Sequence, residues 1–193
     1  MANFDEAYNI TLKHEGGYTN DKDDLGAETY KGISRKYNPS WYGWKVIDQY
    51  KLNKGFPKIL DTDVNLDNEV KKFYKANYWD VNLLDQVKSQ NVANEMFDTG
   101  VNMGVGRAAQ FLQKALNLLN KNNKIYDDVV EDGKMGKNTL DALEKCVAHK
   151  GDEFIYKVLN ILQGQHYIEY MTKSPTQEKY AYGWLSRVNF IKN

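Results

Sequence analysis

The chain lacks most of the features that assign a protein to a class at a glance. Its 193 residues include one cysteine, three prolines and three histidines, and 26 basic residues balance 26 acidic ones. The lone Cys146 excludes an intramolecular disulfide framework. Its helical spacing from Leu143 and Val147 in LDALEKCVAHK reads as a buried, inert thiol, because a catalytic thiol needs a paired histidine. Zero net charge without a basic stripe argues against nucleic acid as a partner. No apolar run approaches the roughly 18 residues of a membrane span. The start, MANFDEAYNI, has neither a basic stretch nor an apolar core, so no ordinary secretory signal is expected. The chain is expected to be made in the cytoplasm, and a role at the cell wall or in the periplasm then needs another route out. His14, His149 and His166 show no metal-ligand spacing, so neither a metal nor an organic cofactor is implied.

Aromatic residues, by contrast, are plentiful: 14 Tyr, 7 Phe and 4 Trp. Flat apolar faces with a polar handle suit sugar rings as well as cores, so composition leaves the two uses open. The dominant period is 3.6 residues. Phe4, Ala7, Tyr8, Thr11 and Leu12 share one helical face, Asn3 is a candidate N-cap with Glu6 three places on, and Gly16-Gly17 is the stop. Residues 16–34, rich in Gly, Asp and Asn, read as an irregular segment or small β-hairpin. Residues 38–60 read as loop with short helices. Apolar periodicity then predicts a helix through Leu66, Val70, Phe73 and Tyr74 that ends near Trp79. Two more follow, through Ala93–Val101 and Ala108–Leu119. A polar stretch at 120–136 carries turn chemistry in EDGKMG, and further helices are expected over 137–149, 152–172 and 176–191. The expected class is α+β, predominantly α, with seven or eight helices and a small β-hairpin. A soft boundary near 86–91 divides a catalytic lobe, 1–88, from a helical lobe, 89–193, the two packed together as one unit. Gly104-Val105-Gly106 follows no strand, so it reads as a helix-start turn rather than a nucleotide fingerprint.

Glu15 is the informative residue. It lies 11 positions after Phe4, and 11 steps of about 100° bring it back to within about 20° of Phe4's direction. A carboxylate at the C-terminal end of a helix, on its apolar face, meets both desolvation and the negative end of the helix dipole. Both effects raise its pKa, as a general acid near neutral pH requires. On periodicity alone, a Glu turned to solvent or paired with a nearby Lys or Arg is the commoner outcome. The following HEGGYTNDKDDLGAETYKGIS places Asp21, Asp23 and Asp24 on a Gly-bearing turn that can fold back towards Glu15. Glycoside hydrolysis commonly uses two such carboxyl groups, roughly 6.5–9.5 Å apart for inversion and about 5–5.5 Å apart for a covalent intermediate. A solvated turn and a cation site fit the Asp cluster equally well.

The run from His14 to Ile33 resembles the signature of glycoside hydrolase family 108, the N-acetylmuramidase-type lysozymes of phages and bacteria. Ala27 stands in place of the pattern's second Gly, and Leu25 where Pro is usual. Both departures fall in the turn rather than at Glu15. Tyr78-Trp79-Asp80 resembles the motif that closes the family's catalytic region. FDTGVNMGVGRAAQFLQKAL, from Phe97 to Leu116, resembles the opening of the predicted peptidoglycan-binding region usually attached to it. EDGKMGKNTLDAL, 131–143, resembles that region's DGxxGxxT turn, and the segment from Tyr182 to Val188 its GWxxR terminus.

The resemblance implies a lysozyme-like fold and a peptidoglycan hydrolase, of the kind found among endolysins and secretion activators. The substrate would be the β-1,4 bond between N-acetylmuramic acid and N-acetylglucosamine. It assigns the catalytic acid to Glu15 and makes Asp24, with Thr29 nearby, the second polar group. Tyr18, Asp98, Asn102 and Trp79 are the expected substrate-binding residues. Asp98 and Asn102 share a helical face, where helix-to-helix hydrogen bonding is an equal alternative. Trp79 and Trp184 offer stacking surfaces, although a buried core place is commoner for Trp. Arg187 is expected to pair with a buried carboxylate, Glu15 among the candidates. The expected partner is the glycan strand of peptidoglycan and the expected state a monomer, released to the wall by a holin-type or other route. Rival readings are a lytic transglycosylase, a non-catalytic peptidoglycan-binding or secretion-assisting protein, and a cation-binding module built on the Asp cluster.

Overall fold

Helix α1, Phe4–Leu12, begins where the sequence places it. The Asn3 side chain accepts from the Asp5 and Glu6 amides at 2.8 and 3.4 Å, so two donors that the first turn leaves over are satisfied. Ala7, Tyr8 and Thr11 are buried, as the 3.6-residue period requires. The computed structural model describes residues 1–12, 16–20 and 28–189. Glu15, Asp24 and the rest of the Asp cluster, with the Leu25 and Ala27 departures, lie outside the described residues.

After α1 come three short strands, β1 (Tyr18–Asn20), β2 (Glu28–Tyr30) and β3 (Ile33–Ser34), which form one antiparallel sheet in sequence order. The expected hairpin is thus a three-stranded meander. Tyr30 pairs with Ile33 across the two-residue turn Lys31-Gly32, whose φ angles are 42° and 77°. That left-handed pair matches the twist of the strands it joins, which explains the glycine in the KGI run. Helices α2 (Gly43–Tyr50) and α3 (Val64–Tyr74) follow, with a 3-10 turn at Lys58–Thr62 between them. Asp63 caps α3 by accepting from Asn65 and Leu66. The chain then widens into a π-type turn that ends at Trp79. The remaining helices are α4 (Gln90–Met103), α5 (Val105–Leu119), α6 (Lys137–Lys150), α7 (Glu153–Lys173) and α8 (Ala181–Leu185). The architecture is α+β and predominantly helical.

One correction concerns the C-terminal stretch. Instead of one helix over 176–191, a 3-10 turn, Pro175–Tyr180, leads into the five-residue α8. Pro175 suits a helix start but Gly183 disfavours continuation, and what holds the segment is ring packing rather than helix propensity. Trp184 lies parallel to Tyr167 of α7 at 5.3 Å and stacks on Tyr180 at 5.6 Å.

The chain divides into two compact units, Tyr8–Asn77 and Met1–Ala7 with Tyr78–Asn193. The first is built around Tyr30, Ile33, Trp44, Ile47, Leu66 and Val70, with Tyr8 set edge-on to Tyr74. The second draws in the chain's first residues. The Ala2 amide donates to Val87, Gln90 brackets the Asn3 backbone, and Phe4 packs edge-on against Trp79 and Phe97.

In this second unit, α5 carries Gln113 and Asn117 on one stripe, Asn120 follows at its C-terminal cap, and these amides hold the polar 120–136 stretch. Gln113, 1% exposed, accepts from the Gly133 amide and donates to Asp132 and the Lys134 carbonyl. Asn117 both donates to and accepts from Val129. Asn120 donates to Asn123 and Asp128. Gly133 itself has φ 72°, and a Cβ there would lie 2.8 Å from the Gly106 carbonyl oxygen.

The second unit also buries a polar cluster between α4 and α7. Asp98 accepts from Arg187 at 2.7 Å and from Gln163 at 2.9 Å, and Thr99 donates to Glu95 at 3.4 Å. Burial, reinforced by the neighbouring Asp98, pushes the Glu95 carboxyl up to about 8 from an ordinary 4.5. Folded Glu95 is therefore neutral at pH 7.

Two outcomes follow from this packing. Gly133→Ala should cost about 1–3 kcal/mol, from the left-handed backbone and the carbonyl clash, and lower Tm by roughly 3–10 °C. An unchanged Tm would contradict the assigned turn. For Glu95, the folded pKa lies above the unfolded one, so its contribution is full below about pH 4.5 and is lost as pH rises towards 8. Glu95→Gln should flatten that fall, so that its Tm gains on wild type across this interval in thermal melts at stepped pH. Parallel Tm profiles would contradict the neutral assignment.

Candidate active site

The N-terminal unit presents its sheet immediately after the EGG run. Tyr18 pairs with Tyr30, Thr19 with Thr29, and Asn20 with Glu28 across β1 and β2, while Thr29 pairs with Ser34 across β2 and β3. Strand side chains alternate between faces, so Tyr18, Tyr30 and Ile33 share one face and Thr19, Thr29 and Ser34 share the other. The first face is core, because Tyr30 and Ile33 are buried. The second is a row of three hydroxyls in register, with Thr29 at its centre.

The end of the sheet is fixed by a charge network that the sequence did not announce. Glu28 accepts from Tyr18 Oη at 2.9 Å and Arg35 at 2.9 Å, and pairs with Lys51 at 2.7 Å. Arg35 also grips Asp48 through two parallel hydrogen bonds of 2.7 and 2.6 Å. Burial alone would raise the Glu28 carboxyl, but the hydrogen bonds from Lys51, Arg35 and Tyr18 outweigh it and hold the group below the usual carboxylate range. Glu28 is thus an ionised strut with no proton to give at neutral pH. Tyr18 spends its hydroxyl on this strut and sets its ring edge-on to Phe56 at 4.7 Å. Arg35 and Lys51 meet Glu28, and Asp48 meets them, only through tertiary folding.

The expected substrate-binding residues of the C-terminal unit have varied surroundings. Trp79 is 0% exposed, donates from its indole nitrogen to Asp85 at 2.7 Å, and packs edge-on against Phe4 and Phe97. It has no face left for a sugar, and the expectation of substrate contact is corrected: Trp79 is core. Asp98 has both oxygens engaged, by Arg187 and Gln163, with 15% of its side chain exposed. Arg187 thus pairs with the largely buried carboxylate of Asp98. Asn102 is exposed and donates from its side chain to the Asp98 carbonyl at 2.8 Å. Tyr18 and Thr29 therefore come together on one sheet and Asp98 and Asn102 on one helix, in different units. Among the described residues no group of His, Cys, Asp or Glu side chains is placed to hold a metal ion, and no helix is long and apolar enough to cross a membrane.

Residues 8–104 match the family described as Glycosyl hydrolase 108, and residues 107–189 match one described as Predicted Peptidoglycan domain. Among solved structures the chain is similar to that titled "Structure of Brucella abortus SagA". The two share 24% sequence identity with a TM-score of 0.61, over 96% of this chain and 88% of that one, which shows a common fold. A comparison with curated proteins gives no match. The two domains together describe a peptidoglycan hydrolase, and the chain belongs to the glycosyl hydrolase 108 family.

Proposed function

We propose that the chain is an N-acetylmuramidase that hydrolyses the β-1,4 bond between N-acetylmuramic acid and N-acetylglucosamine, with Glu15 as general acid. The observation that carries this reading is the place of Glu15 in the chain. It stands between α1, whose apolar stripe is buried, and a sheet that turns a row of hydroxyls to one face. It also lies within the residues that match the glycosyl hydrolase family.

In the proposed reaction the Glu15 carboxyl protonates the leaving glycosidic oxygen as the C–O bond breaks. Positive charge develops on the sugar ring in an oxocarbenium-like transition state. Asp24, in the connection between β1 and β2, steadies that charge or positions the attacking water. Thr29, flanked in register by Thr19 and Ser34, orders the water or a sugar hydroxyl through hydrogen bonds that a hydroxyl can both donate and accept. The Glu28 strut keeps β1 and β2 in register beneath this row. The enzyme acts at the cell wall as a monomer and reaches it by holin-type release or another export route. The same chemistry would serve an endolysin or a secretion activator.

Glu15→Gln retains the shape of the side chain and removes its proton. Release of reducing sugar from purified peptidoglycan should fall by about 10²–10⁴-fold, while the helical circular-dichroism spectrum stays unchanged. Full lysis by this variant would refute the assignment. Thr29→Val, which preserves β-branching and strand fit, should lower kcat by about tenfold or less with little change in KM. An unchanged kcat would remove Thr29 from the reaction.

A further inference from the structure

The C-terminal unit holds a place suited to sugar, lined by none of the residues proposed for catalysis. A cleft of about 390 Å³ opens where the α4–α5 corner faces α7 and the C-terminal segment. One wall is aromatic, formed by His166, Tyr170 and Trp184; the other is polar, formed by Asn102, Arg107 and Gln177. We propose that this cleft is a saccharide-binding subsite for a peptide-free N-acetylmuramic acid residue of the glycan strand. The ligand's identity rests on the peptidoglycan reading above; the chemistry of the cleft is independent of it.

The aromatic wall is built and then left open. His166 and Tyr170, one helical turn apart on α7, lie parallel within 16° at 6.3 Å, and Tyr170 meets Trp184 at 5.8 Å. The C-terminal segment is anchored from behind, by Arg187 on Asp98 and by the Asn189 amide on Asn160. Even so, Tyr170 stays 45% exposed. A pyranose ring has an apolar C–H face and a polar rim, so it fits an exposed aromatic plane edged by hydrogen-bonding groups.

The polar wall supplies that edge. Arg107 donates one hydrogen bond to the Met103 carbonyl at 3.1 Å, which steers its guanidinium while leaving further N–H donors. Guanidinium is the group best shaped to take a carboxylate through paired hydrogen bonds, and the lactyl arm of an N-acetylmuramic acid residue that carries no stem peptide ends in a free carboxylate. Asn102 spends its amide donor on the Asp98 carbonyl, which leaves Oδ1 to accept from an acetamido N–H. Burial, aided by the Arg107 charge and opposed by Glu169, lowers the His166 pKa, so the neutral ring both donates and accepts. A larger groove of about 670 Å³ beside the Gly133 turn is lined mainly by charged and aliphatic residues. Its one ring, Tyr126, is buried and donates its hydroxyl to the Leu116 carbonyl. That groove offers no stacking plane.

The test uses the full-length chain with Glu15→Gln to block turnover, and calorimetric titration with two probes. One is the N-acetylglucosamine–N-acetylmuramic acid disaccharide; the other is chitobiose, which lacks the carboxylate. Arg107→Gln should weaken disaccharide binding about tenfold and abolish the preference over chitobiose, whereas Tyr170→Ala should weaken both probes about threefold to tenfold. Both sites are on the surface, and circular dichroism checks the fold. Should Tyr170→Ala fail to fold, the Trp184 indole N–H resonance of the Glu15→Gln chain should move on disaccharide titration. Affinities unaffected by either substitution, a still indole signal, or no binding at millimolar disaccharide would overturn the subsite. Reducing-sugar release by the chain carrying Glu15 is read in parallel. Hydrolysis without substitution-sensitive binding sinks the subsite alone; sensitive binding without hydrolysis sinks the muramidase reading alone.

Discussion

The proposed chemistry depends on how α1 is held. This nine-residue helix contributes to both compact units, because the division falls between Ala7 and Tyr8. Its start is pinned by the Asn3 cap, by Gln90 and by Phe4 in the Trp79–Phe97 cluster. Its later turns are pinned by buried Tyr8 and Thr11, with Tyr8 set against Tyr74. A helix of this length has little stability of its own, so tertiary contact supplies it. Glu15 follows the helix by three residues, and a general acid is useful only if its surroundings raise and hold its proton.

Other carboxyl groups show what different surroundings do. Glu28, ringed by Tyr18, Arg35 and Lys51, is kept ionised. Glu95, enclosed between apolar packing and Asp98, is kept protonated. Burial acts in the same direction on both, and the neighbours decide. The same logic separates the tryptophans: Trp79 has no surface left to offer, whereas Trp184 borders an open cleft.

Local pattern made much of this legible. Periodicity located α1, α3, α4, α5, α6 and α7, and turn chemistry marked both the Lys31-Gly32 hairpin region and the Gly133 turn. What stayed hidden depends on distant partners. Gln113 and Asn117 on α5, and Asn120 at its cap, look like ordinary polar positions until the 120–136 stretch folds onto them. Asp98, which Arg187 grips, is 89 residues away from it, and Lys51 reaches Glu28 only once α2 has docked. Residues 175–185 do not form the helix that the sequence suggests, because ring stacking around Trp184, rather than a periodic face, shapes them. Thr29 was singled out on the family signature, and its setting between Thr19 and Ser34 depends on strand register that no local pattern specifies.

A glycosyl hydrolase domain followed by a peptidoglycan domain joins cleavage to retention on the same polymer. In the proposed reaction, water completes what a proton donor begins. The most direct measurement is the mass of the muropeptides released when the purified chain digests peptidoglycan. Products ending in reducing N-acetylmuramic acid are predicted. Products 18 Da lighter, with 1,6-anhydro ends, would show that the ring's own hydroxyl closes the reaction and would contradict the account.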